Sequence, residues 1–431
     1  MKNHVSIGLL GLGTVGTGVA EIIYRHQDQL MHKVGCPIQI EKVLVKDGTK
    51  ERGWPANDIV LTENPYDVLD DPELDLIVEV MGGVDETKEY LIRALENKKS
   101  VITANKDLMA VHGPELHEIA RANGCDLYYE ASVAGGIPIL RSLSDGLASD
   151  RITKMMGIVN GTTNYILTKM IQDSRSFDDV LFEAQKLGYA EADPTSDVEG
   201  IDAARKMAIL ATLGFSMNVG LQDVDIKGIS QVSGEDLAFS KKMGYVMKLI
   251  GIAERDGDEI EISVQPTLLP ATHPLAAVND EFNAVYVYGE SVGETMFYGP
   301  GAGKLPTATA VVSDVIAVIK NMRLGVSGKT VVTPQYEKKL KSDESIRSKY
   351  FFRLRVKDEV GVFSKMTQLF AANNIGFERI MQLPLEDEPG IAEIVLITHS
   401  AQKSAYERIV NELNDLDVVF QINSSYRVEG E

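Results

Sequence analysis

Residues 8–19 read GLLGLGTVGTGV, and they restrict what this chain can become more than any other stretch. Gly11, Gly13 and Gly16 fall in a G-x-G-x-x-G spacing between an apolar run, VSIGLL (5–10), and a stretch patterned for a helix. Each glycine has a mechanical task. One permits a tight turn, one lets backbone approach a pyrophosphate, and one lets helix and strand pack closely. Thr14 and Val15 complete the first helical turn, whose free N–H groups and partial positive charge suit an anion. The expectation is strand, turn and helix, holding a dinucleotide.

The next segments support that context. IQIEKVLV (38–45), DLIVEV (75–80), KSVITA (99–104) and DLYYEA (126–131) read as strands. The first helix is expected to run to about Leu30, with others at 85–98 and 114–124, the last closing on Gly124. Alternating strands and helices predict βαβ units and a mostly parallel sheet. The stretch MKNHVSIGLLGLGTVGTGVA has a lysine, an apolar run and small residues, like a signal peptide. Its dense glycines are foreign to such a segment, so it is read as part of the fold.

Beyond Ala131 the texture changes to glycine-rich turns, helices near 163–173 and 200–214, and alternating segments at 259–269 and 283–290. Another glycine loop, GPGAGK, enters a helix at 299–322. A polar stretch, 338–349, precedes a last segment ordered β-α-β-β-α-β, a ferredoxin-like pattern. The expected architecture is α/β. It has a dinucleotide-binding domain over 1–130, with 300–325 packing back on it. A central α+β domain follows over 131–337, and a small domain over 350–431.

A net charge of −20 opposes non-specific binding to nucleic acid or anionic lipid, so neither is expected as a partner. Two cysteines, Cys36 and Cys125, make no disulfide framework and no metal spacing, which fits a reducing cytoplasm. At the end of the second strand, Lys46 suits a ribose 2′-phosphate, whereas Asp47 suits a free 2′-hydroxyl. NADP and NAD both remain open there, with Lys46 leaning to NADP.

The chemistry is expected in LGYAEADPTSDVEGIDAARK (187–206), which collects five carboxylates before Arg205 and Lys206 and is followed by the uncharged run 207–222. Asp202 and Lys206 share a helix face. An ordinary surface ion pair explains most such pairs. Here the apolar run implies partial desolvation, which brings a lysine toward proton exchange. Lys106, in TANK, sits beyond the carboxyl end of a strand, where open α/β sheets bind ligands. The histidines show no partner pattern.

GLLGLGTVGTGV, TANK, YEASVAGGIPI (129–139), NGTTNYIL (160–167) and above all GYAEADPTSDVEGIDAARK (188–206) resemble the homoserine dehydrogenase family. The resemblance covers essentially the whole chain and is closest to the monofunctional form with a C-terminal ACT domain. It implies NAD(P)H-dependent interconversion of L-aspartate 4-semialdehyde and L-homoserine, in threonine and methionine biosynthesis. By that resemblance Lys206 donates the proton and Lys106 assists beside the nicotinamide. Glu191 and Asp202 hold the substrate, while Gly188 and Gly303 line the cofactor site. It also implies a sodium ion on Glu130 and the carbonyls of Val133, Gly135 and Ile137. A threonine effector at the ACT domain and a homodimer or homotetramer follow in the same way. Aspartate-semialdehyde dehydrogenase would need a cysteine nucleophile, which neither Cys36 nor Cys125 suits. From another class, the alternative is a non-enzymatic redox and amino-acid sensor.

Overall fold

The computed structural model describes residues 4–50, 59–329, 334–385 and 388–430. The chain forms two compact units: Met1–Met155 with Arg205–Asp223 and Asn283–Lys338, and Met156–Ala204 with Val224–Phe282 and Lys339–Glu431.

The first unit opens with β1 (Val5–Leu10), α1 (Thr14–Arg25), α2 (Gln27–Val34), β2 (Ile38–Leu44) and β3 (Val60–Thr62). It continues through α3 (Tyr66–Leu69), β4 (Leu76–Glu79), α4 (Asp85–Glu96), β5 (Ser100–Thr103), α5 (Lys106–Asn123) and β6 (Leu127–Tyr128). The six strands pair in parallel in the order β3-β2-β1-β4-β5-β6. Register aligns Leu10 with Glu79 and Glu79 with Thr103, so three strands end in one row. Ile7, Leu9, Val43, Val78 and Ile102 carry the core.

The helix Lys304–Leu324 joins this core through Val311, Val315, Val318 and Ile319. Its composition would let it cross a membrane, but those apolar side chains are committed to packing. It approaches α1 closely at Gly18, where a Cβ would lie 2.6 Å from the Lys304 carbonyl oxygen.

Three expectations differ locally. The helix expected to reach Leu30 breaks at His26 into α1 and α2. Ile23 and Leu30 lie seven apart, two helical turns, so the apolar pattern does not register the break. The helix expected from Pro114 begins at Lys106 and contains that proline. DLYYEA yields a strand of only Leu127–Tyr128 and then a 3-10 turn, Glu130–Ser132. The Glu130 N–H is drawn out of the sheet to the Asp314 carboxylate, 2.8 Å away. Both β3 and α3, of three and four residues, are too short for an apolar period to mark them.

In the second unit, strands Tyr245–Asp256 and Glu259–Pro270 pair antiparallel. Strand Arg347–Lys357, helix Val362–Ala372, strands Phe377–Pro384 and Ile391–Thr398, helix Lys403–Asn414 and strand Val419–Val428 then realise the β-α-β-β-α-β order. The last strand, the first, the third and the second lie side by side, a ferredoxin-like sheet. The last strand also pairs in parallel with Glu259–Pro270, at Thr267 and Leu268.

Buried Arg353 locks helix Gly234–Lys242 to this sheet. Its guanidinium donates to Asp236 at 2.7 Å and to Glu393 at 2.8 Å. Asp236 also caps that helix and accepts from the Tyr426 hydroxyl at 2.9 Å. Arg353→Met would leave two buried carboxylates without their cation, a loss of about 3–5 kcal/mol. A denaturation midpoint for this unit within error of the unmodified protein would contradict that assignment.

Candidate active site

The glycine turn at the head of α1 has the geometry a phosphate cradle needs. Gly11 sits at φ +102° and donates its N–H to the Leu44 carbonyl at 3.0 Å. A Cβ on Gly16 would stand 2.2 Å from the Gly11 carbonyl oxygen, so only hydrogen fits there. A Cβ on Gly13 would meet nothing within 4 Å, leaving open space over the backbone. No acidic side chain lies in the first turn of α1, whose N–H groups from Thr14 onward can face an anion.

At the end of β2, Lys46 is exposed. Asp47 is turned into its own loop, accepting the Thr49 N–H at 2.8 Å and hydroxyl at 2.6 Å. Gly303, at φ +124°, precedes the helix Lys304–Leu324, and Lys304 pairs with Glu21 of α1 at 2.7 Å. Gly188 belongs to the second unit, where it closes helix Phe177–Leu187 at φ +78°.

The ends of β4 and β5 are held by a buried carboxyl that sequence reasoning missed. Glu79 accepts the N–H groups of Met81 and Gly82, at 2.7 and 3.0 Å, and the Thr103 hydroxyl at 2.5 Å. Burial raises its pKa. Asn105 caps α5 by accepting the Leu108 N–H at 3.1 Å and donates to the Gly83 carbonyl at 2.5 Å. Thr103 and Asn105 of TANK therefore place half-buried Lys106 at the first position of α5.

Lys206 is also half-buried, on helix Ile201–Phe215. Its neighbour Arg205 pairs with Asp107, next to Lys106, at 3.2 Å. One ion pair thus tethers the chain beside each lysine. Asp202, four residues before Lys206, is only 5% exposed, which separates it from an ordinary surface partner.

The rest of the acidic stretch divides. Asp193 folds back on Thr195, accepting its N–H at 3.1 Å and hydroxyl at 2.6 Å, a turn-forming role. Asp197 accepts from Asn160 at 2.7 Å and Asp202 from the same nitrogen at 2.9 Å. Glu191 is exposed, with Gln185 donating to its backbone carbonyl at 3.1 Å.

The loop after β6 is buried at Glu130, Val133, Gly135 and Ile137. Glu130 accepts the N–H groups of Leu140 and Arg141 on its two oxygens, both at 2.8 Å. The Ile137 carbonyl accepts from Ile139, whereas among the described residues the buried Val133 and Gly135 carbonyls accept nothing. Positive φ at Ala134 and Gly135 turns the chain tightly there. Two orphaned carbonyls beside a buried carboxylate are a donor set for a hard cation.

Burial pushes the Cys125 thiol up to about 11, which removes it as a nucleophile. His117 lines both of two cavities, of about 370 and 360 Å³, alongside α5 and Ile201–Phe215. Neither lysine is among their lining residues. The His117 ring meets Tyr129 edge-on at 5.4 Å, and its buried Nδ1 has no hydrogen-bond partner among the described residues.

Among known proteins, the family model for the homoserine dehydrogenase NAD binding domain matches residues 11–130, and that for homoserine dehydrogenase matches 138–316. A homoserine dehydrogenase of Bacillus subtilis is 64% identical, over 99% of this chain and 98% of its own length. A crystal structure of a homoserine dehydrogenase from Thiobacillus denitrificans superposes with a TM-score of 0.94. It is 38% identical, over 99% of this chain and 98% of that one. A hyperthermophilic archaeal homoserine dehydrogenase in complex with NADPH is 27% identical, with a TM-score of 0.62, over 73% of this chain and 97% of that one.

Burial holds His117 neutral and lowers its pKa to about 4, from an ordinary 6.5. A base depressed in the fold supports stability fully above its ordinary pKa and loses that support as pH falls toward the folded value. Between pH 6.5 and 4, His117→Phe should therefore gain melting temperature relative to the unmodified protein as the medium becomes more acidic. A difference independent of pH would show that the imidazole is not held neutral.

Proposed function

The chain belongs to the homoserine dehydrogenase family, NAD(P)-dependent oxidoreductases acting on a CH–OH group, and from that premise we propose which of its residues carry the reaction. In the reducing direction the substrate is L-aspartate 4-semialdehyde and the product is L-homoserine. The bound dinucleotide supplies the hydride to the aldehyde carbon.

Lys206 gives its proton to the carbonyl oxygen as negative charge develops there. Lys106, at the start of α5, would assist by polarising the same carbonyl beside a bound nicotinamide. Asp202 and Glu191 hold the substrate ammonium. The observation that carries this reading is the helix Ile201–Phe215 itself. It sets a 5% exposed carboxylate and a half-buried lysine four residues apart, with Arg205 between them tethered to the residue after Lys106. A substrate ammonium would add a cation to the Asn160 amide that already donates to Asp202 at 2.9 Å.

Gly11, Gly13, Thr14, Val15 and Gly16 would hold the pyrophosphate, and the family resemblance adds Gly188 and Gly303 as cofactor residues. With Asp47 committed to Thr49 and Lys46 exposed, NADP is the preferred dinucleotide over NAD. Glu130 with the Val133, Gly135 and Ile137 carbonyls would hold sodium, which would steady the loop. The βαββαβ segment serves as an ACT domain that takes threonine as effector and pairs with a second copy in a homodimer or homotetramer. A cytoplasmic setting suits this chemistry. A non-enzymatic sensor is disfavoured by the family itself, whose members are enzymes.

Lys206→Ala should lower kcat by about 10²–10⁴-fold, the usual worth of general acid catalysis, with NADP affinity unchanged. Turnover retained in that variant would move the proton donor to another group.

A further inference from the structure

Asp197 and Asp202 take hydrogen bonds from one nitrogen. Asn160 Nδ2 reaches Asp197 Oδ1 at 2.7 Å and Asp202 Oδ2 at 2.9 Å. Asn160 is only 5% exposed, and its other end is already committed. Its Oδ1 accepts both the N–H and the hydroxyl of Thr163, at 2.9 Å each, capping helix Gly161–Asp173. The amide orientation is therefore fixed by chemistry. A flipped amide would set a carbonyl against two carboxylates and point its protons at a backbone N–H.

The helix that presents Asn160 is itself anchored. Asn164 Nδ2 donates to the carbonyls of Val278, Asp280 and Phe282, at 3.2, 2.8 and 3.2 Å. Its Oδ1 accepts from the ammonium of wholly buried Lys248 at 3.0 Å. A Cβ on Gly161 would come 2.6 Å from the Glu281 carbonyl oxygen, so the helix start is pressed onto the 278–282 loop. A rigid support of this kind is what holding a reacting geometry requires.

We infer that Asn160 is a positioning residue for the substrate: its amide spans Asp197 and Asp202, offsets their mutual repulsion, and sets the Asp202 carboxylate at the angle that receives the amino acid's ammonium. Asp197 then acts as the second post of that bridge, beyond any role in loop solvation. The inference rests on the reading of Asp202 as a substrate anchor.

Asn160→Ser separates bridge from cap, because serine caps a helix as well as asparagine but has no amide donor. It should raise KM for L-homoserine about tenfold, the size of one charge-assisted hydrogen bond, with kcat and NADP affinity little changed. Asn160→Asp keeps the shape and the cap but faces two carboxylates with a third. Its kcat/KM should fall further at alkaline pH and recover relative to the unmodified enzyme as the medium becomes more acidic, where the new carboxyl regains a proton to donate. Asp202→Asn, measured alongside, distinguishes the two levels of the argument. If it raises KM while Asn160→Ser does not, the positioning role is overturned and the anchor stands. If Asp202→Asn leaves KM unchanged, the anchor falls and this inference with it. Equal, pH-independent effects of the two Asn160 substitutions would reduce Asn160 to a helix cap and overturn the proposal.

Discussion

The hydrogen bond from the Thr103 hydroxyl to the Glu79 carboxyl, 2.5 Å long and buried, joins the ends of two parallel strands where the ligand edge of the sheet begins. The start of α5 depends on it. Glu79 also gathers the Met81 and Gly82 N–H groups, and Thr103 accepts from the Asn105 N–H at 3.0 Å. Asn105 then starts α5, so Lys106 inherits its position from a carboxyl on the neighbouring strand. Gly11 completes the row from β1, with its N–H on the end of β2. A parallel sheet leaves its strand ends without a local partner, and here those ends are secured by side chains rather than by further strand.

In the second unit the problem is charge. Asp197 and Asp202 are brought together in surroundings where neither is freely solvated. One amide with two protons answers it, and that amide is held by its oxygen to a helix which Asn164 and Lys248 fix in turn. Burial pushes the Lys248 ammonium down to about 8, the expected result for a lysine whose hydrogen-bond partners are neutral oxygens. Both units thus use buried polar groups to orient the residues proposed to meet small molecules.

What the sequence disclosed follows from how local each signal is. The glycine turn, the parallel strands and the βαββαβ order are written in contiguous patterns, and each stands in the structure. Gly11 and Gly16 do the mechanical work their spacing implied. The Asn160 bridge is invisible at that level, because its partners lie 37 and 42 residues away. Nothing local in the sequence therefore marks Asp197 as a partner of Asn160. Glu79 left a fainter trace, a lone carboxyl ending an otherwise apolar strand. Lys206 is half-buried, a milder setting than the following uncharged run implied, although Met207 to Ala211 beside it are buried.

Homoserine-dependent formation of reduced dinucleotide, followed with purified protein at alkaline pH, tests the central claim most directly. L-Homoserine should reduce NADP, and NAD less well, while a plain primary alcohol without ammonium and carboxylate should give no reaction. No reduction with homoserine, or equal rates with the plain alcohol, would contradict the assignment of Asp202 and Lys206 to an amino-acid substrate.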